Sequence, residues 1–304
     1  MIVAVARAVA AAAVAWLVLG VALASAGAAA EDGRASPGRV VSIGGAVTEI
    51  VFALGAQDRL VAVDSTSRHP PEAAALPDLG YMRQLSAEPI LALEPGLILA
   101  VEDAGPPAAL DQLRATGVPI VTVPDEPTPD GVLRKVEVVA DALGLADRGK
   151  ALNARLEAEL AALSAALDEV RTRPRVLFLL SVGNGGAPLA AGRGTAAAGI
   201  IALAGGRNAI EDFEGFKPLS PEAAVTAAPD VVLVSDRTLA LLGGEDNLLA
   251  RPDLAATPAG RNGRVVAMDG LLLLGFGPRT PEAIHELASA LHPELSLATL
   301  PADE

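Results

Sequence analysis

Tyr81 is the only tyrosine of the 304-residue chain, and the cationic side chain of Arg83 follows it two residues later. A cation beside a phenol favours the phenolate form. Phenolate is a hard anionic ligand that suits ferric iron, and tyrosine is one of the side chains that bind haem iron axially. A surface ring or a packing ring is the other interpretation of Tyr81, and this residue pair alone leaves both open.

The composition excludes most other metal and nucleophile chemistry. The chain has no cysteine, so thiolate zinc sites, iron–sulfur clusters, disulfides and cysteine catalysis are ruled out. Its three histidines, His69, His285 and His292, are too few for a multi-histidine metal site. No G-x-S-x-G, H-E-x-x-H or P-loop spacing occurs, and the glycine turn Gly44-Gly45 lacks the spacing of a dinucleotide site.

The charge balance bears on the partners of the chain. Acidic residues outnumber basic ones by 37 to 23, and the formal net charge is −14. Nucleic acid is therefore excluded as a partner, because binding to its phosphates relies on a basic surface. A hydrophobic content of 51% is typical of a folded chain, and the length accommodates two lobes.

Residues 1–30 have the pattern of a secretory signal peptide. One charge, Arg7, precedes an apolar stretch from Ala8 to Ala24, and small residues follow as far as Ala30. Cleavage is expected after Ala26 or Ala30, although an uncleaved membrane anchor has a similar pattern. The chain has no cysteine for lipid attachment, so we expect an exported, soluble protein.

Apolar runs and glycine turns alternate in the order expected of parallel α/β sheets. Arg39–Ile43 predicts a strand, and Ala46–Leu54 predicts a helix directly after the glycine turn. Thr280 is predicted as the cap of the final helix, with Pro281 at its first position. The further predicted strands are Leu60–Val63, Leu97–Val101, Ile120–Val123, Arg175–Leu180, Val231–Val234 and Val265–Met268.

A long amphipathic helix is predicted between the two sets of strands. Apolar residues recur at spacings of 4, 4, 3, 4 and 3 from Leu152 to Val170, which places them on one helix face. This helix is expected over Asp147–Arg171, ended by Pro174. The predicted domains are therefore a signal peptide over 1–30, an N-terminal α/β lobe over 39–145, a connecting helix over 146–173 and a C-terminal α/β lobe over 174–304.

The two predicted lobes contain a repeated segment. Residues 84–100 and 218–234 align without a gap and share a serine followed two residues later by a glutamate, Glu88 in one copy and Glu222 in the other. The serine is a plausible helix cap, and the macrodipole favours an acid in the first turn. The fold class that follows is α/β, with two similar Rossmann-like lobes joined by one long helix and a ligand cleft between them.

The segment Gly80–Glu88, GYMRQLSAE, resembles the haem-ligand loop of periplasmic haem-binding proteins, the substrate-binding components of bacterial haem ABC importers. Val41–Glu49, Ala191–Thr195 and Gly275–Glu282 also resemble this family, and the similarity covers essentially the whole chain after the signal peptide. The general plan of two rigid lobes and a backbone helix is shared with siderophore and cobalamin binders. The Y-x-R-Q-L-S-A-E loop is the part that resembles haem binders specifically.

The resemblance implies roles for four residues around the ligand. Tyr81 would be the axial ligand of ferric haem b, and Arg83 would stabilise its phenolate. Arg193 and Arg279 are candidates for pairing with the haem propionates, although ordinary surface arginines are an equal alternative.

The resemblance also implies partners and a location. Glu88 and Glu222, one on each lobe, match the paired acids with which the family docks onto arginines of the permease dimer and its ATPase. Both residues also fit the simpler role of first-turn helix acids. The implied protein is a periplasmic monomer that captures haem, delivers it for iron uptake and catalyses no reaction.

The sequence departs from the family in one respect. Some members add a histidine from the second lobe as the other axial ligand, but the matching stretch, Ser181–Arg193, contains none. His285 and His292 are expected to be structural, and His69 belongs to the first lobe. We therefore expect five-coordinate iron, or a sixth position held by water or another weak ligand.

Other functions remain open at this stage. A siderophore or corrinoid carrier is the alternative within the same class, and it would not require Tyr81. An exported α/β enzyme would need a convergent carboxylate pair, which no spacing in the sequence marks. A membrane-tethered sensor would follow if residues 1–30 were retained.

Overall fold

The computed structural model describes residues 38–181 and 187–297, so the predicted signal peptide lies outside the described residues. The described chain forms two sheets with helices packed on them. Within these two ranges, no helix combines the length and the apolar character needed to cross a bilayer.

The first sheet is fully parallel and has the strand order β2-β1-β3-β4. These strands confirm the four that were predicted, and three helices connect them. The strands are β1 (Val40–Ile43), β2 (Leu60–Val63), β3 (Leu97–Val101) and β4 (Ile120–Val123), and the helices are α1 (Gly45–Ala53), α2 (Ala87–Leu91) and α3 (Pro107–Ala115). Short 3₁₀ helices occupy Gln57–Arg59 and Ala73–Ala75.

The second sheet has the order β10-β9-β5-β6-β8, with β7 also pairing with β5. Its parallel part matches the predicted strands, whereas β6 and β8 are antiparallel additions at one edge. The strands are β5 (Arg175–Ser181), β6 (Leu189–Ala191), β7 (Arg207–Asn208), β8 (Phe216–Pro218), β9 (Val231–Ser235) and β10 (Val265–Met268).

Two consecutive helices, α4 (Pro129–Leu143) and α5 (Ala146–Leu167), separate the strands of the two sheets. Helix α4 was not predicted; the Thr128 hydroxyl caps it, and Gly144 ends it in a left-handed conformation. In α5 the predicted leucine face is buried as expected.

Helix α5 ends at Leu167, four residues before the predicted Arg171. Asp168 and Glu169 follow directly, and acids at a C-terminus oppose the helix dipole, which accounts for the earlier end. The helix has 22 residues, a length of about 33 Å at the usual rise.

The described part of the second half of the chain contains eight further helices, and several of them are only one or two turns long. They are α6 (Ala196–Leu203), α7 (Pro221–Ala227), α8 (Asp236–Leu242), α9 (Glu245–Leu249), α10 (Pro252–Ala255), α11 (Pro258–Asn262), α12 (Gly270–Leu274) and α13 (Thr280–Leu291).

The predicted helix caps are met in part. The Ser220 hydroxyl accepts from Ala223 N (3.2 Å), as expected for α7. Ser86 occupies the N-cap position of α2 but makes no capping hydrogen bond. The capping role predicted for Thr280 was wrong: Thr280 is already helical, and its hydroxyl donates to the Gly277 carbonyl (2.8 Å).

Two buried cations tie the first half of the chain to the segment before α13. Lys135 of α4 is 1% exposed, and its Nζ donates to Asp125 Oδ1 (2.5 Å) and to the carbonyls of Gly275 (3.0 Å) and Phe276 (3.2 Å). Three residues further on, Arg279 donates to Glu49 of α1. Buried ion pairs hold one geometry, because separating them leaves a desolvated charge.

We expect Lys135→Ala to lower the free energy of unfolding by about 3 to 5 kcal/mol, because it removes the only cation bonded to Asp125 and these two carbonyls among the described residues. Urea unfolding followed by circular dichroism measures the change. Lys150→Ala is the matched control, since the Lys150 side chain is 79% exposed and its one ion pair among the described residues is with Asp147, three residues before it on α5. Lys150→Ala should change the free energy of unfolding by less than about 0.5 kcal/mol. Equal losses in the two variants would contradict the stabilising role of the Lys135 contacts.

Candidate functional site

Tyr81 lies just beyond the carboxyl end of β2. Val63, the last residue of β2, pairs with Asp78 in an isolated bridge, and Ser65 N donates to the Gly80 carbonyl (2.9 Å). Gly80 has a φ of 83°, a conformation that favours glycine, and it turns the chain out of this pairing. Tyr81 is therefore presented at the edge of the first sheet, and 41% of it is exposed.

A buried carboxylate supports the segment that precedes Tyr81. Asp64 accepts from Gly44 N (2.8 Å), Thr66 N (3.0 Å), Thr66 Oγ1 (2.7 Å) and Ser67 Oγ (2.9 Å). Gly44 belongs to the turn between β1 and α1, so these bonds join the two loops at the carboxyl edge of the sheet. The loop leading to Tyr81 is thereby held to the sheet by its polar groups.

The phenol of Tyr81 is part of a hydrogen-bonded chain of three side chains. Arg83 Nη1 donates to the Tyr81 hydroxyl (2.7 Å), and Arg83 Nη2 donates to Asp103 Oδ2 (2.7 Å). The guanidinium carbon lies 5.9 Å from the centre of the tyrosine ring. Partial burial acts to lower the pKa of Arg83, but the hydrogen bonds to Asp103 and Tyr81 outweigh it and raise that pKa. The predicted partner of Tyr81 is thus a cation in direct contact with its hydroxyl.

Backbone hydrogen bonds hold the loop of Asp103 against the loop of Tyr81. Asp103 follows β3, and two residues later Gly105 N donates to the Met82 carbonyl (2.9 Å) while Leu85 N donates to the Gly105 carbonyl (2.9 Å). These reciprocal bonds fix the spacing of the two loops. The hydrogen bonds among the side chains of Tyr81, Arg83 and Asp103 depend on that spacing.

Glu88 and Glu222 take equivalent positions in the two lobes. Each lies in the first turn of a short helix, α2 for Glu88 and α7 for Glu222, and each is exposed. Neither forms an ion pair with another residue of the described ranges. Both carboxylates are thus free to meet an external cation.

The two predicted propionate partners are already engaged. Arg193 is half-exposed, donates to the Glu211 carbonyl and lies 3.8 Å from Glu214. Arg279 is only 13% exposed, and its Nη2 lies 2.5 Å from Glu49 Oε1. A role for either arginine with a propionate stays a prediction, and for Arg279 it would require an exchange of partner.

The Glu49–Arg279 pair has opposing electrostatic influences. Burial raises the pKa of Glu49, while the hydrogen bond and charge of Arg279 act to lower it. The pKa of Arg279 is raised, because the hydrogen bond and charge of Glu49 outweigh the effect of burial. Arg279 therefore stabilises the ionised form of Glu49 against the effect of burial, and this favours a fixed ion pair.

The histidines do not gather at the Tyr81 loop as a group. His292 is buried at the end of α13 with neither ring nitrogen hydrogen-bonded, and His285 lies on the same helix. His69 lies in the loop between β2 and Tyr81. Among the described residues, no cluster of three or more histidine, aspartate or glutamate side chains could hold a metal ion.

Two cavities within the described residues are lined by residues other than Tyr81 and its neighbours. One of about 280 Å³ is lined by Thr172, Arg173 and Asp230 among others, and another of about 290 Å³ lies between α4 and α5. Four large apolar side chains of the second lobe are exposed in the described structure, namely Leu180, Phe216, Val225 and Leu241. The predicted ligand cleft between the lobes stays a prediction.

Sequence reasoning missed three acids that support the predicted site residues, namely Asp64, Asp103 and Glu49. Asp64 and Asp103 follow the carboxyl ends of β2 and β3, the two strands that flank β1, and ligand sites of α/β sheets form at this edge. That rule was enough to single them out. Glu49 had no comparable signal, because its partner Arg279 is 230 residues away.

Comparison with known proteins places this geometry in a family. The family model described as periplasmic binding protein matches residues 40–271. The periplasmic heme-binding protein RhuT from Roseiflexus sp. RS-1, in apo form, is 48% identical with a TM-score of 0.81, covering 84% of this chain and 98% of that one.

Two further relatives differ in what they bind. The periplasmic heme-binding protein BhuT, in complex with two hemes, is 44% identical with a TM-score of 0.80, covering 84% of this chain and all of that one. A vitamin B12-binding protein of Yersinia pestis (strain Pestoides F) is 31% identical over 200 residues, 65% of this chain and 69% of the relative.

These matches confirm the predicted α/β fold and the predicted resemblance of the chain to periplasmic haem-binding proteins. The family model covers both sheets from β1 to the start of α12. The chain belongs to the periplasmic binding protein family.

Proposed function

We propose that the protein captures ferric haem through Tyr81 and delivers it to an ABC permease for haem and iron uptake. The observation that carries the proposal is the exposed Tyr81 hydroxyl, hydrogen-bonded to a guanidinium that a carboxylate holds in turn. Because the phenol is 41% exposed, an iron centre can approach it without rearrangement of the core.

The donor set fits ferric haem as cargo. A phenol must lose its proton to ligate iron, and the adjacent Arg83 stabilises the phenolate that results. Haem supplies the iron and a flat apolar ring, so the protein must supply the anionic ligand and apolar surface. Tyr81 provides the first, and exposed apolar side chains such as Leu180 and Phe216 contribute to the second.

The rest of the ligand environment is proposed from the second lobe. Arg193 is half-exposed and can reach a propionate while keeping its carbonyl partner. Arg279 is the weaker candidate, because Glu49 holds it. We assign no histidine as sixth ligand, so the iron would be five-coordinate or would have water or another weak ligand in the sixth position.

The cellular setting follows from the family and from the first residues of the sequence. Periplasmic binding proteins bind substrates for transport, so we assign a carrier role without catalysis. We propose export by a cleavable signal peptide over residues 1–30 and action as a monomer in the periplasm. Delivery would use Glu88 and Glu222, which are exposed and form no ion pair within residues 38–181 and 187–297, to pair with arginines of the permease dimer.

A corrinoid is the second candidate cargo. The 31% identity to a vitamin B12-binding protein favours it. This alternative does not use Tyr81, so a ligand screen on one variant separates the two.

We expect Tyr81→Phe to weaken ferric haem binding by at least about tenfold and to remove the iron–phenolate charge-transfer band, because the variant lacks only the ligand atom. A haemin titration followed by absorption spectroscopy measures both. Phe52→Leu, a change at a partly buried aromatic of α1, is the control and should bind as wild type does. Equal binding by wild type and Tyr81→Phe would reject Tyr81 as the ligand, and binding of cobalamin alone would favour the second cargo.

We expect the double variant Glu88→Gln, Glu222→Gln to bind haemin as wild type does but to lower permease-dependent uptake by about tenfold or more, because two charge pairs with the permease are lost. ATP-driven uptake into proteoliposomes carrying the cognate permease measures the effect. Glu137→Gln combined with Glu157→Gln removes the same charge from exposed positions on α4 and α5 and should leave uptake unchanged. Unchanged uptake in the Glu88 and Glu222 variant would reject these acids as the docking pair.

A further inference from the structure

Asp103 accepts a hydrogen bond from Arg83, and the surrounding backbone holds Asp103 in a fixed position. It follows the carboxyl end of β3, the strand next to β1 in the sheet. The backbone bonds of Gly105 with Met82 and Leu85 lock its loop onto the loop of Tyr81. The backbone of these two loops therefore holds the Asp103 carboxylate next to Arg83.

The guanidinium of Arg83 has two acceptors on two different loops. Its Nη1 is bonded to the Tyr81 hydroxyl and its Nη2 to Asp103 Oδ2, both at 2.7 Å. A long arginine side chain loses much rotamer freedom when it is held in one orientation. The Asp103 bond offsets that cost, so the donor at the phenol oxygen is in place before any ligand arrives.

We infer that Asp103 is a positioning residue, which holds Arg83 against the Tyr81 oxygen and thereby sets how strongly that oxygen binds iron. The inference rests on the proposed haem function for its second half only. Asp103 does not touch the iron or the porphyrin; it acts through Arg83, as partners beyond the direct ligands commonly do in metal sites.

Both residues are partly exposed, with 46% of the Arg83 side chain and 58% of the Asp103 side chain accessible. A surface pair of this kind contributes little to stability. A flat apolar ligand on Tyr81 would exclude water from the pair, and the lower local dielectric would strengthen its attraction. Asp103 is therefore expected to matter for the bound state more than for folding.

Two control variants separate the positioning of Arg83 by Asp103 from a general effect of removing one negative charge. Glu102→Gln removes one negative charge from the neighbouring exposed residue, which makes no hydrogen bond to Arg83. Arg83→Ala removes the group through which Asp103 is proposed to act. In an Arg83→Ala background, Asp103→Asn should therefore have no effect beyond that of Glu102→Gln.

The first test needs no ligand. Tyr81 is the only tyrosine, so tyrosine labelled with ¹³C at Cζ gives one resonance whose shift reports hydrogen bonding at the phenol oxygen. We expect Asp103→Asn to move this resonance in the same direction as Arg83→Ala, and Glu102→Gln to leave it in place. An Asp103→Asn resonance at the wild-type position would overturn the inference whatever the cargo is.

The second test uses haemin. Asp103→Asn should weaken binding by about tenfold and move the iron–phenolate band in the direction seen for Arg83→Ala, while Glu102→Gln stays within about twofold of wild type. An equal loss with and without Arg83 would overturn the positioning role. If wild type fails to bind haemin, the haem proposal fails, and the resonance of Tyr81 still decides the role of Asp103.

Discussion

A surface loop that presents a phenol as a ligand has no hydrophobic core of its own. Other interactions must therefore hold the loop in one conformation. Here the buried carboxylate of Asp64 meets that constraint by accepting hydrogen bonds from two loops at the carboxyl edge of the first sheet. Its bonds to Gly44 and Thr66 fix the start of the segment that ends at Tyr81. The hydrogen bonds from Arg83 to Tyr81 and to Asp103 depend on this support. Their residues lie on loops anchored to β2 and β3, the two strands that flank β1.

The two halves of the molecule are joined by polar contacts as well as by apolar packing. Lys135 reaches the carbonyls of Gly275 and Phe276, and Glu49 reaches Arg279 a few residues later, so one short segment receives both contacts. Such pairs are costly to separate because each would leave a desolvated charge. We therefore expect the binding surface to be formed before the ligand arrives, so that ligand capture requires only small motions.

Local patterns predicted the regular parts of this structure and the contact between Tyr81 and Arg83. The strands of the first sheet, the parallel strands of the second, the leucine face of α5 and the pairing of Tyr81 with Arg83 follow from period, turn residues and proximity in the sequence. The antiparallel strands β6 and β8 were missed because they have three residues each, too few for an alternating pattern. Glu49 was missed because its partner Arg279 is 230 residues away and only the fold brings the two together, whereas the position of Asp103 after β3 was a signal that went unused.

The repeat keeps the serine and the glutamate in both halves of the chain but the tyrosine in only one of them. Extending the gapless alignment by three residues sets Gly215 opposite Tyr81 and Lys217 opposite Arg83, so the second lobe keeps the cation and lacks the phenol. The serine and the glutamate that follow, Glu88 in the first lobe and Glu222 in the second, are retained in both. A duplicated feature persists where both copies meet equivalent surfaces, as two halves of a symmetric permease would provide. It diverges where the copies meet different sides of one ligand, and a single phenolate is sufficient to bind one face of an iron centre.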